Sequence, residues 1–396
     1  VTPVLAHEAE LEFELGGPAY RLMQRIGLIK GEGPSVGRRV VAFLSITWVP
    51  LLVLAVIEDR ALGPTPQQSL LLDFATYARF FLAVPLLFVA EVVTGPRLRA
   101  AGLHFVQGNF VRPEDLPAVE AAIVRASRRR EALLPELIML GIALWGAWYF
   151  TVDTLTGGTA TATWRSAQRP GGMGLTLAGF WYQFIAVPIL QFFMYRWLWR
   201  LLMWTLFLRE LSRLELKLVP THSERAGGLG LLGAAHVSLA IFPFAFSCVL
   251  SGHIAFQVYF EAVPIETFKV LFAAYLVLME LICFGPLLIF LPLLSRTRRM
   301  GMRRYSILAD TYNRAFDQKW VTDQSISNES LLGSADIQSL ADLGNSFAMI
   351  REMRLFPFSQ QQILQVAVIT SLPGLPLIFL VMPVGEVLKL LAGALL

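Results

Sequence analysis

Charge is what this sequence has least of. Only 16% of its 396 residues are Asp, Glu, Lys or Arg, against 55% hydrophobic, and the mean hydropathy is +0.58. Soluble globular domains carry roughly a quarter charged residues, so the deficit argues against a soluble enzyme, a nucleic-acid binder and a disordered chain. Cysteine is scarce too. Cys248 and Cys283 both fall in apolar runs, and two are too few for a disulfide framework. Catalytic signatures are missing: there is no His-Glu-x-x-His, no paired intramembrane Asp, no Gly-x-Ser-x-Gly, and no run of four or more Cys or His to suggest haem or an iron–sulfur centre. The expectation is a chain that is no enzyme and carries no cofactor and no metal. Val1 to Glu14 is acidic and has no apolar core behind a basic patch, so it is not expected to be a cleaved signal peptide.

What is present is apolar length. Seven segments approach the roughly 20 residues that cross a bilayer as a helix: Val40 to Ile57, Phe74 to Val93, Leu133 to Val152, Leu175 to Tyr195, Val237 to Phe256, Val270 to Leu294, and Ile363 to Pro383. Arg79 and Glu91 interrupt the second. The fold class is an all-α membrane protein of seven transmembrane helices, or six if the last segment lies in the interface. The basic residues give an orientation. Twenty-seven fall on one side and five on the other, namely Arg60, Arg165, Arg169, Lys269 and Lys389. Basic loops resist translocation, so the N-terminus is expected in the cytoplasm and the C-terminus outside. Arginine outnumbers lysine 28 to 5, which suits a high-GC bacterial genome and hence a multi-pass protein of the inner membrane. The expected partners are the lipid bilayer, further copies of the chain in a homo-oligomer, and an inorganic ion or small solute, with no nucleic acid.

The segments divide into a cytoplasmic N-terminal stretch (1–39), a six-span region (40–294) with cytoplasmic helical extensions at 94–132 and 196–236, a cytoplasmic connector (295–362), and a broken C-terminal membrane helix (363–396). Pro113-Glu114-Asp115 opens an amphipathic helix through Arg130, with Leu116, Val119, Ile123 and Ala126 on one stripe. After span four an apolar stripe reaches Leu218, extending that helix by about six turns. Thr221-His222-Ser223-Glu224 has capping-box spacing and restarts a helix into span five. A stripe from Tyr305 to Trp320 follows span six, Thr322 to Ser334 reads as a linker, and Ala335 to Arg354 is helical again. Gly228-Leu229-Gly230-Leu231-Leu232-Gly233 has the dinucleotide-binding spacing but follows a helix instead of a strand. It reads as small residues for close helix packing.

The run Gly333-Ser334-Ala335-Asp336-Ile337-Gln338-Ser339-Leu340-Ala341-Asp342-Leu343, with Ile350-Arg351-Glu352-Met353-Arg354 after it, resembles a stretch of uncharacterised bacterial integral membrane proteins. The resemblance covers about a tenth of the chain and implies no activity. In topology alone, seven spans with a cytoplasmic N-terminus and a split final helix are similar to insect chemoreceptor channels, whose terminal motif is absent from span seven.

Few residues carry candidate chemistry. Glu280 lies about 15 Å into span six at the helical rise, near mid-membrane, where an ionisable group is costly unless paired or wetted. It reads either as a cation- or proton-binding carboxylate or as a packing lock. Ser247 and Ser251 sit at similar depth on span five, with His253 and Gln257 nearer the outside, and these can complete a polar lining. Hydroxyls bonded to their own helix are the bland alternative. His236 and His104 read as structural. Acids mark the outer ends of the spans: Glu58, Asp59, Asp73, Asp153, Glu261 and Glu266. Around one mouth they would concentrate cations; otherwise they are solvated loop charge. Leu372-Pro373-Gly374-Leu375-Pro376 breaks span seven, and such a break survives at membrane depth only where protein or water satisfies the backbone. The leading expectation is a passive cation-preferring ion channel with spans five to seven around the path. The alternatives are a proton-coupled secondary transporter and a non-conducting receptor, scaffold or accessory subunit.

Overall fold

The computed structural model describes residues 11, 16–29, 35–156, 162–170, 172–322 and 334–381. Seven helices are long and apolar enough to cross a bilayer: α2 (Val36–Ile57), α3 (Phe74–Gln107), α5 (Leu133–Val152), α6 (Leu177–Leu211), α7 (Gly230–Phe260), α8 (Ile265–Thr322) and α10 (Gln360–Leu380). Three shorter helices flank them: α1 (Pro18–Arg25), α4 (Leu116–Arg130) and α9 (Ala335–Arg351). A two-stranded antiparallel hairpin, β1 (Ser166–Arg169) and β2 (Gly172–Leu175), is the one sheet among the described residues. The protein is therefore an all-α membrane protein. Apolar side chains such as Val53, Trp145, Val277 and Phe379 are exposed along the spans, as expected where the outer surface meets lipid tails and not water.

Side-chain pairs establish how the spans alternate. Arg39, early in α2, meets Glu91 in the later half of α3, and Arg200, late in α6, meets the same carboxylate. Arg196 of α6 reaches Glu136 at the start of α5. At the opposite end, Glu58 just past α2 accepts the Ala178 N–H at the start of α6. Late in α7, Ser251 lies beside Gly374 of α10, which also meets Phe272 early in α8. Successive spans thus run antiparallel, giving the bundle an arginine-rich end and a hairpin end.

Several helices depart from the expected spans. α3 runs 34 residues and α8 runs 58, about 51 and 87 Å at the helical rise, so both overrun a hydrocarbon core of about 30 Å. Span six and the Tyr305–Trp320 stripe are one continuous helix, tightened to 3-10 geometry at Gly285–Phe290, where Pro286 removes a donor. The helix after span four stops at Leu211, two turns short of the expected Leu218. Residues past it are drawn off the axis, as the Lys217 N–H binds the Phe110 carbonyl and Val219 pairs with Gly227. The expected capping box does not start a helix. Gly227 and Gly228 take left-handed backbone angles (φ 66° and 97°), the helix begins at Gly230, and Glu224 instead accepts the Gly230 N–H. Span four begins two residues late because Leu175 ends β2, a hairpin that apolar length gave no reason to expect. The expected linker overlaps 323–333, which lies outside the described residues, as does the chain beyond Val381.

Close packing explains other sequence features. A Cβ on Gly233 would lie 2.4 Å from the Pro357 carbonyl oxygen, so this glycine lets the segment just before α10 lie close against α7, where helix-to-helix packing was expected. His236 is completely buried between Trp204, whose indole donates to Nε2 at 2.8 Å, and the Cys283 carbonyl, 2.6 Å from Nδ1. With Nε2 accepting, Nδ1 carries the proton, so the ring is neutral and both nitrogens are used. His236→Leu strands the indole donor and that carbonyl, at a cost of about 1–3 kcal/mol. A lowered thermal midpoint of the purified protein checks this.

The segment from Ser334 to Arg354 is tied down at both ends of α9. Asp336 accepts from Lys319 and Trp320 at 2.9 and 3.0 Å, tying α9 to the end of α8. Met353 and Ile350 are buried against the Gly227 and Gly301 backbones, and Arg354 donates to the Glu224 and Arg225 carbonyls. The hydrogen bonds from Lys319 and then Trp320 hold the Asp336 carboxyl below its ordinary value. Its contribution is complete above the ordinary carboxylate range and is lost as pH falls through the lowered value. Amide exchange in α9 is expected to speed up on acidification, and Asp336→Asn to remove that pH dependence.

Candidate functional site

Polar groups gather at three depths. Midway along the apolar part of α8, both carboxylate oxygens of Glu280 are shielded from solvent and have no hydrogen-bond partner among the described residues, and the same holds for the Ser247, Ser251 and Thr370 hydroxyls. Buried polar atoms are normally paired, so four unsatisfied side chains on α7, α8 and α10 stand out. Ser247 and Ser251 are one turn apart on one face of α7. Ser251 faces the 3-10 turn Leu372–Gly374 that interrupts α10, where a Cβ on Gly374 would lie 3.8 Å from its hydroxyl. Pro373 and Pro376, with Ser251 and Cys248, line an apolar groove there. The break is thus a local tightening that keeps α10 on course. Glu280 sits about two turns along α8 from Phe272, the residue that meets Gly374.

His253 and Gln257 lie away from that group. They join Asp73 and Glu261 around a cavity of about 300 Å³ at the hairpin end, with Arg79, Trp164 and Arg165 completing its polar and aromatic wall. The outer acids play separate parts. Asp73 caps α3, accepting the Thr76 N–H and hydroxyl and the Trp164 indole. Glu58 accepts the backbone of α6 at its N-terminal end, where the helix dipole favours an anion. Asp59, Glu261 and Glu266 are exposed, and the Asp153 side chain lies outside the described residues.

The arginine-rich end holds a cluster that sequence reasoning did not assemble. Glu91 is 3% exposed and Arg39 only 2%. The Glu91 carboxylate takes Arg39 on one oxygen and Arg200, at 2.6 Å, on the other. Arg196 and Glu136 continue the network at 3.5 Å, and Glu136 also accepts the Ala19 N–H at the start of α1. Arg39 stacks on Phe88 and Arg200 on Trp197, with the guanidinium carbons 4.6 and 5.5 Å from the ring centroids. Glu91 was visible in the sequence as a charge late in span two. Its partners come from the start of one span and the end of another, and no spacing rule links them.

No protein-family model, no curated protein and no solved structure matches the chain. Among the described residues no group of three or more His, Cys, Asp or Glu is placed to hold a metal ion.

Proposed function

We propose that this protein is a proton-coupled membrane transporter of a small polar solute, with Glu280 as the carboxylate that takes up and releases the proton. The reading puts the arginine-rich end in the cytoplasm, by the retention of basic loops, in the inner membrane of a bacterium. The observation that carries it is the bare state of both Glu280 oxygens. A cation site would surround the ion with several fixed oxygens, and a packing lock would pair the carboxylate with a donor. A lone intramembrane carboxylate with neither is suited to exchange a proton between a neutral and a charged state. The polar cavity at the hairpin end, lined from α3, α7 and the segment before β1, supplies a place for solute.

A passive cation-preferring channel along α7, α8 and α10 is the second reading. The unsatisfied Ser247, Ser251 and Thr370 hydroxyls beside the break in α10 favour it. Proteoliposomes holding a pH-sensitive dye separate the two when given small organic acids, amino acids and amines in turn. Proton movement that depends on one solute and saturates with it supports the transporter. A cation current that needs no solute and does not saturate supports the channel instead.

A further inference from the structure

The cavity at the hairpin end contains charges of both signs that do not neutralise one another. Arg79 and Arg165 line it, and among the described residues neither comes within ion-pair distance of a carboxylate. Each is held elsewhere. Arg79 donates to the Tyr182 hydroxyl, and its guanidinium carbon lies 6.0 Å from the centroid of that ring. Arg165 lies 5.3 Å from the centroids of both Trp164 and Tyr182. Two half-buried guanidinium groups therefore share the Tyr182 ring, with no carboxylate at ion-pair distance among the described residues.

The acids are kept apart from these arginines in the same way. Both oxygens of Asp73 are occupied by neutral donors, from Thr76 and the Trp164 indole. Those bonds hold its carboxylate in place without cancelling its charge. Glu261 follows α7 directly, is exposed, and makes no side-chain bond to the described residues. With two arginines and two acids around it, the cavity has no net formal charge. A simple anion would leave the acids facing one another, and a simple cation would leave the arginines so. A solute carrying both charges satisfies both sets.

We propose that this cavity binds a small zwitterion of the amino-acid class, its carboxylate on Arg79 and Arg165 and its ammonium on Glu261 and Asp73. A volume of about 300 Å³ is at the lower end of small-molecule pockets, which limits the solute to a few heavy atoms beyond the two charged groups. Trp164 and Phe256 supply apolar wall for a short side chain. Arg79 spends one N–H group on the Tyr182 hydroxyl and Arg165 lies against aromatic rings, and the N–H groups that remain can meet a planar carboxylate, the geometry in which guanidinium groups are most selective.

The inference deepens the transport reading by naming its solute, but binding is measured without transport. Isothermal titration of the purified full chain in detergent, with L-alanine, propionate and ethylamine as probes, is the experiment. L-alanine should bind about tenfold or more tighter than either singly charged probe, the scale of one charged hydrogen bond in place or lost. Glu261→Gln, at an exposed position that does not hold the fold together, should weaken L-alanine by a similar factor. Arg165→Gln should do so more strongly. The proposal is overturned if L-alanine does not bind, if propionate binds as well as it does, or if Glu261→Gln and Arg165→Gln leave its affinity unchanged. L-alanine that binds but is not moved by proteoliposomes would sink the transport reading and leave the site standing. Proton movement with another solute and no L-alanine binding would do the reverse.

Discussion

Glu91→Ala is expected to destabilise the protein by about 3–5 kcal/mol, the usual cost of removing one member of a buried ion pair. The reason is what stays behind. Arg39 and Arg200 both rest on the Glu91 carboxylate, and each already has guanidinium nitrogen with no partner. Without the carboxylate, two positive charges face each other in a site shielded from water, with Arg196 close by. Glu91→Gln should cost nearly as much, because one neutral amide oxygen cannot serve two guanidinium groups. Removing an exposed pair such as Arg225 and Glu352 should change stability by under about 1 kcal/mol. Thermal unfolding of the purified variants in one detergent compares the three. Equal midpoints for Glu91→Ala and the exposed pair would mean that the network does not hold α2, α3 and α6 together.

Glu280→Gln should act in the opposite sense on stability and much more strongly on function. The carboxylate has no partner to lose, and a neutral amide is cheaper to bury than a charge, so the thermal midpoint should hold or rise. Solute-driven proton movement should fall by about 100-fold or more, the scale on which loss of a positioned proton-transfer group acts. A packing lock would give the reverse pattern, with a lower midpoint and unaltered flux. Glu280→Asp, which keeps an ionisable group one methylene shorter, should recover part of the flux.

Most of the fold could be read from the chain because lipid imposes simple demands. Every span must be apolar for about 20 residues and must satisfy its own backbone, and each of the seven expected segments overlaps one long apolar helix among the described residues. The errors fall where that rule stops. α3 and α8 continue past the expected ends because a helix need not break where its side chains become polar. The capping spacing at Thr221–Glu224 was overridden by left-handed Gly227 and Gly228, and the β hairpin had no signal in apolar length, its strands being only four residues each.

The candidate site was legible residue by residue but not in its grouping. Depth along a helix placed Glu280, Ser247 and Ser251 in the membrane interior and His253 and Gln257 nearer one end. It could not show that His253 and Gln257 share a cavity with Arg79 of α3 and Arg165 just before β1. Nor could it show that Asp73, counted among the outer acids, is held by a tryptophan 91 positions away. Those facts belong to tertiary packing, which periodicity does not encode.

Coupling is the central claim, and accumulation tests it most directly. Proteoliposomes with an alkaline interior and an acidic bath are given radiolabelled L-alanine at equal concentration on both sides. The account predicts net uptake above the bath concentration, abolished by a protonophore and absent in Glu280→Gln. Uptake that never exceeds the bath concentration, or accumulation that persists unchanged in Glu280→Gln, would contradict it.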